Sequence, residues 1–266
     1  MANFLPIVKI LESTNISVRG LGQVVVDPAT IEVGNNSVVA RCRIEGIRGY
    51  RTIKCYCTSR YRDDIKGVDY YPQSLKVYGF NGKVEYVDVA ISRWIGGEAL
   101  DVLLYRGGLK DLKALSLAFD TMAFKHLRRG VIHGDIKPEN IVVLPSGKMR
   151  LIDSDSLPIE SIGNYQAKDF GTQFYAHRHR HIRRTDQFTD HYPLALLSSF
   201  LATLTHCPTF FDTRRTMEEY ITAATEVLKE HSDTLHYKMI VAMQRSIMGK
   251  VDGIEALFES IVMADE

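Results

Sequence analysis

The chain has 266 residues, enough for one large or two modest domains with a real core. Lys and Arg number 33 against 32 Asp and Glu, a net charge of +1, so no global field argues for nucleic acid, and neither nucleic acid nor a membrane is expected as a partner. The start, Met1 to Glu12, has no basic region leading into a long apolar core and a cleavage site, and no window approaches the ~18 uninterrupted apolar residues of a membrane helix. A soluble, cytoplasmic protein is the expectation. Cys42, Cys55, Cys57 and Cys207 do not complete a zinc pattern and read as reduced packing residues.

Taken in order, residues 1–30 read as an N-terminal extension: an apolar helix-like start, then Ile16 to Asp27 with a turn at Gly20-Leu-Gly22. Val33 to Ile44 carries Gly34, Asn36 and Ser37, residues that suit a tight β-turn whose backbone amides can cover phosphates. Arg51 to Tyr56 is rich in β-formers and alternates, which places Lys54 on a strand. Pro72 interrupts any helix through Tyr70 to Gln73. Leu75 to Ile91 reads as a hairpin across Asn81-Gly82. Ser92 to Leu100 is a connection holding Arg93, Trp94, Ile95 and Glu98, and a domain boundary falls near Gly96-Gly97. Leu112, Leu115, Phe119, Met122 and Ala123 recur at helical spacing. His177, His179 and His181 alternate among arginines, which marks a basic segment rather than a cation site. Asp190 starts an apolar helix from Tyr192 to Leu204, and residues 215–263 look helical throughout.

The chemistry concentrates in Val131-Ile-His-Gly-Asp-Ile-Lys-Pro-Glu-Asn-Ile-Val-Val143 and Leu151-Ile-Asp-Ser-Asp155. An apolar run leads into a polar turn with Asp135, Lys137 and Asn140, and a second apolar strand delivers Asp153. One Asp can accept a proton from an attacking hydroxyl and a Lys can neutralise charge on a transferring group. An Asn with a second Asp can hold magnesium through hard oxygens. The competing reading is a hairpin whose Asp and Asn cap turns.

This order resembles the catalytic and metal-binding loops of the protein-kinase-like family, H-R-D-x-x-x-x-N and then D-F-G, and Arg51-Thr-Ile-Lys54 resembles its V-A-I-K strand. The resemblance covers about residues 31–205 and points to a small, divergent bacterial-type Ser/Thr kinase or pseudokinase. It implies an α+β, two-lobed fold, with an antiparallel β N-lobe at 31–96 and a mainly helical C-lobe at 97–266. It also implies ATP and Mg²⁺ as cofactors, Asp135 as catalytic base, Lys137 beside it, and Asn140 and Asp153 on the metal. Lys54 falls to the ATP phosphates under a turn at Gly34, Asn36 and Ser37, with Arg93, Trp94, Ile95 and Glu98 at a nucleotide-binding hinge. Asp190 matches the buried Asp that steadies the catalytic loop, or is simply a helix N-cap.

The chain departs from the family in several places. No Glu occurs between Lys54 and Glu85, two of the three loop glycines are missing, A-P-E is absent, and Gly134 stands where the family has Arg. Three functions therefore compete: an ATP-dependent protein kinase, a pseudokinase, and a small-molecule kinase of the aminoglycoside or choline type. The phosphate acceptor, protein or small molecule, is not encoded in any recognised segment.

Overall fold

The computed structural model describes residues 4–34, 37–57, 68–79, 81–107, 111–152, 157–158, 174–179, 185–212 and 215–265. The chain divides into two compact units, residues 1–95 and 96–266.

The first unit is built from strands with alternating apolar residues. Helix α1 (Leu5–Glu12) precedes β1 (Asn15–Val18), β2 (Gly22–Val26), β3 (Glu32–Val33), β4 (Ser37–Ile44), β5 (Arg51–Tyr56), β6 (Asp69–Tyr78) and β7 (Val84–Arg93). All pairings are antiparallel, in the order β2-β1-β6-β7-β5-β4-β3. A further pairing of β2 with β4, Val24 opposite Ile44 and Val26 opposite Cys42, joins the two ends into a closed six-stranded barrel. Period-two alternation sends Ile16, Val18, Val24, Val26, Ala40, Ile53 and Val89 into one buried cluster, where Ile7 and Leu11 of α1 join them.

This barrel corrects the expected architecture. The chain is α+β, but the N-terminal region is not the sheet of a two-lobed kinase-like fold. The physical reason lies in residues 15–26, placed by sequence in an extension. They form a hairpin that pairs with β6 on one side (Val18 opposite Leu75) and with β4 on the other, and so remove two free sheet edges. The β6–β7 hairpin turns at Asn81-Gly82, where the Gly79 amide donates to Lys83 O. Its register shifts between Tyr71 and Leu75, and the buried Asp88 carboxylate holds that irregularity by accepting from the Gln73 amide at 2.8 Å and the Tyr70 hydroxyl at 2.5 Å.

The second unit is mainly helical: α2 (Leu100–Arg106), α3 (Leu112–Leu127), α4 (His191–His206), α5 (Met217–Glu230), α6 (Thr234–Gln244) and α7 (Ile254–Met263). Short strands β8 (Glu98–Ala99), β9 (Val131–Ile132), β10 (Ile141–Val143), β11 (Met149–Leu151) and β12 (Leu157–Pro158) pair as β11-β10-β8 and β12-β9. Helix α4 is apolar all round and buried from Pro193 to Leu204, the signature of a central helix. Phe119, Phe200, Phe210 and Phe258 fill the core around it. Gly97 is required where it stands, because a Cβ there would meet Val142 Cγ1 and Val143 O at 2.4 Å.

Candidate active site

The turn between β9 and β10 is short and polar, and its backbone is fixed from outside. Asp190, immediately before α4, is 3% exposed and accepts three hydrogen bonds: from the His133 amide at 2.7 Å, the Gly134 amide at 2.9 Å and His126 Nε2 at 2.8 Å. It does not cap α4 with its side chain. Burial pushes this carboxyl up, but the His126 hydrogen bond and charge, with the His133 amide, outweigh burial and hold it below the ordinary carboxylate value. Gly134, at φ +85°, adopts the left-handed conformation that lets two successive amides converge on one carboxylate.

His133 carries the order onward. Its Nε2 donates to Ile152 O at 2.8 Å and its Nδ1 accepts from the Asp135 amide at 3.3 Å, which assigns the ring proton to Nε2. The Ile152 amide donates to Asn140 O at 2.9 Å. Both backbone groups of Ile152 are therefore tied to the turn, and they anchor the chain at the residue before Asp153. Asp153 itself lies outside the described residues.

Within the turn, Asp135, Lys137 and Asn140 come together. Lys137 Nζ lies 3.1 Å from Asp135 Oδ2, and Asn140 Nδ2 donates to Asp135 O at 2.8 Å and to Oδ2 at 3.2 Å. Asn140 is buried, and both of its contacts use the amide nitrogen, which leaves Oδ1 without a donor among the described residues. A leftover hard oxygen beside a carboxylate fits a divalent cation such as Mg²⁺. Glu98, on β8, is instead ion-paired to Arg106 of α2.

The other predicted residues belong to the barrel. Lys54 sits on β5 with Ala90 of β7 as cross-strand partner, and its Nζ lies 5.5 Å from the centroid of the Tyr56 ring. The Gly34 amide is already spent on Ser37 O at 2.9 Å, and Ser37 is buried at the start of β4. Asn36 lies outside the described residues. Arg93 ends β7. The Trp94 amide donates to Tyr50 O at 3.3 Å, whereas Ile95 makes no hydrogen bond among the described residues.

Two residues that sequence reasoning missed stand out. His126 lies in the last turn of α3, and only the fold brings it to Asp190. His236 of α6 bridges two carboxylates, with Nε2 at 3.1 Å from buried Asp120 and Nδ1 at 3.0 Å from Asp233.

No protein-family model matches the chain. Human cGMP-dependent protein kinase 2 is 32% identical over 84 residues, 31% of this chain and 11% of that protein. The serine/threonine-protein kinase/endoribonuclease IRE1 of Oryza sativa subsp. japonica is 26% identical over 177 residues, 54% of this chain and 20% of that protein. The chain thus spans a fifth or less of the curated relatives it matches, and its similarity to them is distant and partial. That similarity is to protein kinases.

Proposed function

We propose that the chain is an ATP-dependent phosphotransferase acting through the β9–β10 turn. The observation that carries the reading is the meeting of Asp135, Lys137 and Asn140 in one turn whose backbone Asp190 fixes. In this reading Asp135 takes the proton of the attacking hydroxyl, and Lys137 offsets charge on the transferring phosphoryl group. Asn140 Oδ1 and Asp153 would hold Mg²⁺, which supplies further charge neutralisation when bound, and Lys54 would contact the ATP phosphates.

Phosphate transfer from labelled ATP to a protein panel tests the activity. Asp135→Asn is expected to cut turnover by roughly 100- to 10,000-fold with nucleotide binding nearly unchanged. If this variant instead lost its fold or its nucleotide affinity, Asp135 would be structural. ATP with Mg²⁺ should also raise the melting temperature, because a ligand at one hundred times its Kd adds about 2.7 kcal/mol. Asp153→Ala should remove the metal-dependent part of that shift, and Lys54→Met should weaken the nucleotide part.

A second reading, a pseudokinase that serves as a nucleotide-binding or scaffold module, is favoured by Gly34, whose amide donates to Ser37 O rather than being presented to phosphate. A thermal shift without phosphate transfer to any of a wide panel of acceptors is its signature.

A further inference from the structure

One end of the barrel carries a concentration of arginines, of which only Arg93 falls among the residues that the kinase resemblance assigns to the nucleotide. Strands β4 and β5, the turn between them and the end of β7 contribute Arg41, Arg43, Arg48, Arg51 and Arg93, with Asp27 and Glu45 as the nearby acids. The whole chain is only +1, so this is a local excess rather than a reflection of overall charge. Asp27 engages Arg41 at 2.5 Å, and none of the other four arginines pairs with a carboxylate among the described residues. Register makes Arg51 and Arg93 direct cross-strand partners, an arrangement of like charges that costs stability and that a bound anion relieves.

Aromatic rings order these cations. The Arg41 guanidinium lies 5.8 Å from the Trp94 ring centroid and 4.6 Å from that of Tyr50, and Arg43 lies 4.5 Å from the Tyr50 centroid. Arg43 also donates to the Tyr50 hydroxyl at 2.7 Å. Tyr50 is in turn fixed by its carbonyl, which accepts from the Trp94 amide and from Arg51. The result is a ladder, Trp94, Arg41, Tyr50, Arg43, whose outer member is exposed. Held this way, the guanidiniums lose little further side-chain freedom when their N–H edges meet phosphate.

We infer that this Trp94-Arg41-Tyr50-Arg43 ladder and the arginines around it form a binding surface for single-stranded nucleic acid. The exposed guanidinium plane of Arg43 at the open end of the ladder, together with its forked donors, suits a ligand that alternates stacked bases with phosphates, whereas an acidic peptide would use only the donors.

Fluorescence anisotropy of the full chain with a labelled dodecamer of uridine or thymidine tests this. Saturable binding at 50 mM salt is expected, and the four arginines not committed to Asp27 set a slope of log affinity against log salt of about −3. Arg43→Glu with Arg48→Glu should weaken binding more than tenfold and roughly halve that slope. Tyr50→Leu, at a half-exposed position outside the buried core, should weaken it roughly tenfold with the slope kept. Arg43→Lys, which keeps the charge but not the planar fork, should lower affinity for the single strand more than for polyphosphate. Several results would overturn the inference: no saturable binding, equal affinity for a duplex or for polyphosphate of the same charge, or no effect of Tyr50→Leu in a variant that melts like the parent. Full displacement by ATP with Mg²⁺ would also overturn it, because the ladder would then belong to the nucleotide site. These outcomes are separate from phosphotransfer, which none of the variants addresses.

Discussion

The barrel and the helical unit treat buried polar groups in opposite ways. The barrel's core cluster is aliphatic with two cysteines, and Asp88 is its one buried carboxylate among the described residues. Closure satisfies its strand amides from strand to strand, and among the described residues no buried side-chain polar atom of the barrel lacks a hydrogen-bond partner. The helical unit buries Asp120, His126, His133, Asn140 and Asp190 and runs two carboxylate–histidine networks between helices. A closed barrel gains a uniform, insensitive core. The helical unit accepts desolvated charge and gains a turn held in one conformation, with part of its stability tied to pH.

Removing the carboxylate at the centre of this arrangement sharpens the contrast most. Asp190→Ala leaves two backbone amides and His126 without their acceptor, and the loss of one partner from such a buried pair costs about 3–5 kcal/mol. In the barrel, Ile53→Val removes one methylene from a fully buried site and should cost about 0.5–1.5 kcal/mol. Urea unfolding followed by far-UV circular dichroism checks both. Equal costs would mean that Asp190 contributes no more than an ordinary core contact.

Next in size is a dependence on pH. Burial pushes His236 down, but the hydrogen bonds and charges of Asp120 and Asp233 raise it to about 9, well above its ordinary 6.5. A pKa raised by folding means the folded state holds the proton more tightly. The stabilisation is therefore complete below about pH 6.5 and is lost as pH rises through about 9. The shift corresponds to roughly 3 kcal/mol. Denaturation midpoints measured from pH 6 to 10 should fall across this window, and His236→Gln should flatten the fall. An unchanged slope in the variant would place the pH dependence elsewhere.

How much of this was legible in sequence follows from contact range. The proximity of Asp135, Lys137 and Asn140 could be read because six consecutive residues enclose it. The β6–β7 hairpin announced itself through Asn81-Gly82, and α4 through its predominantly apolar run from Tyr192 to Leu204. The alternation of Ile16, Val18, Val24 and Val26 is equally plain, yet nothing local says that β2 pairs with residues 42–44 and closes the barrel. Asp120 and His236 lie 116 residues apart, so neither marks the other in sequence. Asp190 was visible only through the family resemblance, because its three donors come from two segments more than fifty residues upstream.

A smaller effect isolates backbone conformation from packing. Gly134 has a left-handed φ, and a Cβ there would meet nothing within 4 Å. Gly134→Ala should therefore cost only the conformational penalty, about 1–2 kcal/mol, with no steric contribution. Larger residues share this conformational penalty, so any further cost measures contacts beyond the Cβ. If Gly134→Arg were several kcal/mol worse than Gly134→Ala in the same melt, contacts rather than φ would set the requirement at this position.

The smallest perturbation leaves the sequence unchanged and asks how tightly the barrel is shut. Burial pushes the Cys42 thiol up to about 12 and raises Cys55 further above its ordinary value, so neither supplies thiolate at neutral pH while folded. Both face the barrel core, on β4 and β5, whereas Cys207 is half-buried at the end of α4. Maleimide at pH 7.5 should modify Cys207 in the native protein. Cys42 and Cys55 should react only through opening of the barrel, about a thousandfold or more slower if the opening free energy reaches ~5 kcal/mol. Peptide mapping after timed quenching distinguishes the sites. Labelling of Cys42 or Cys55 at a rate near that of Cys207 would show that the β2–β4 seam opens readily in the native state. The barrel would then be the more pliable of the two units.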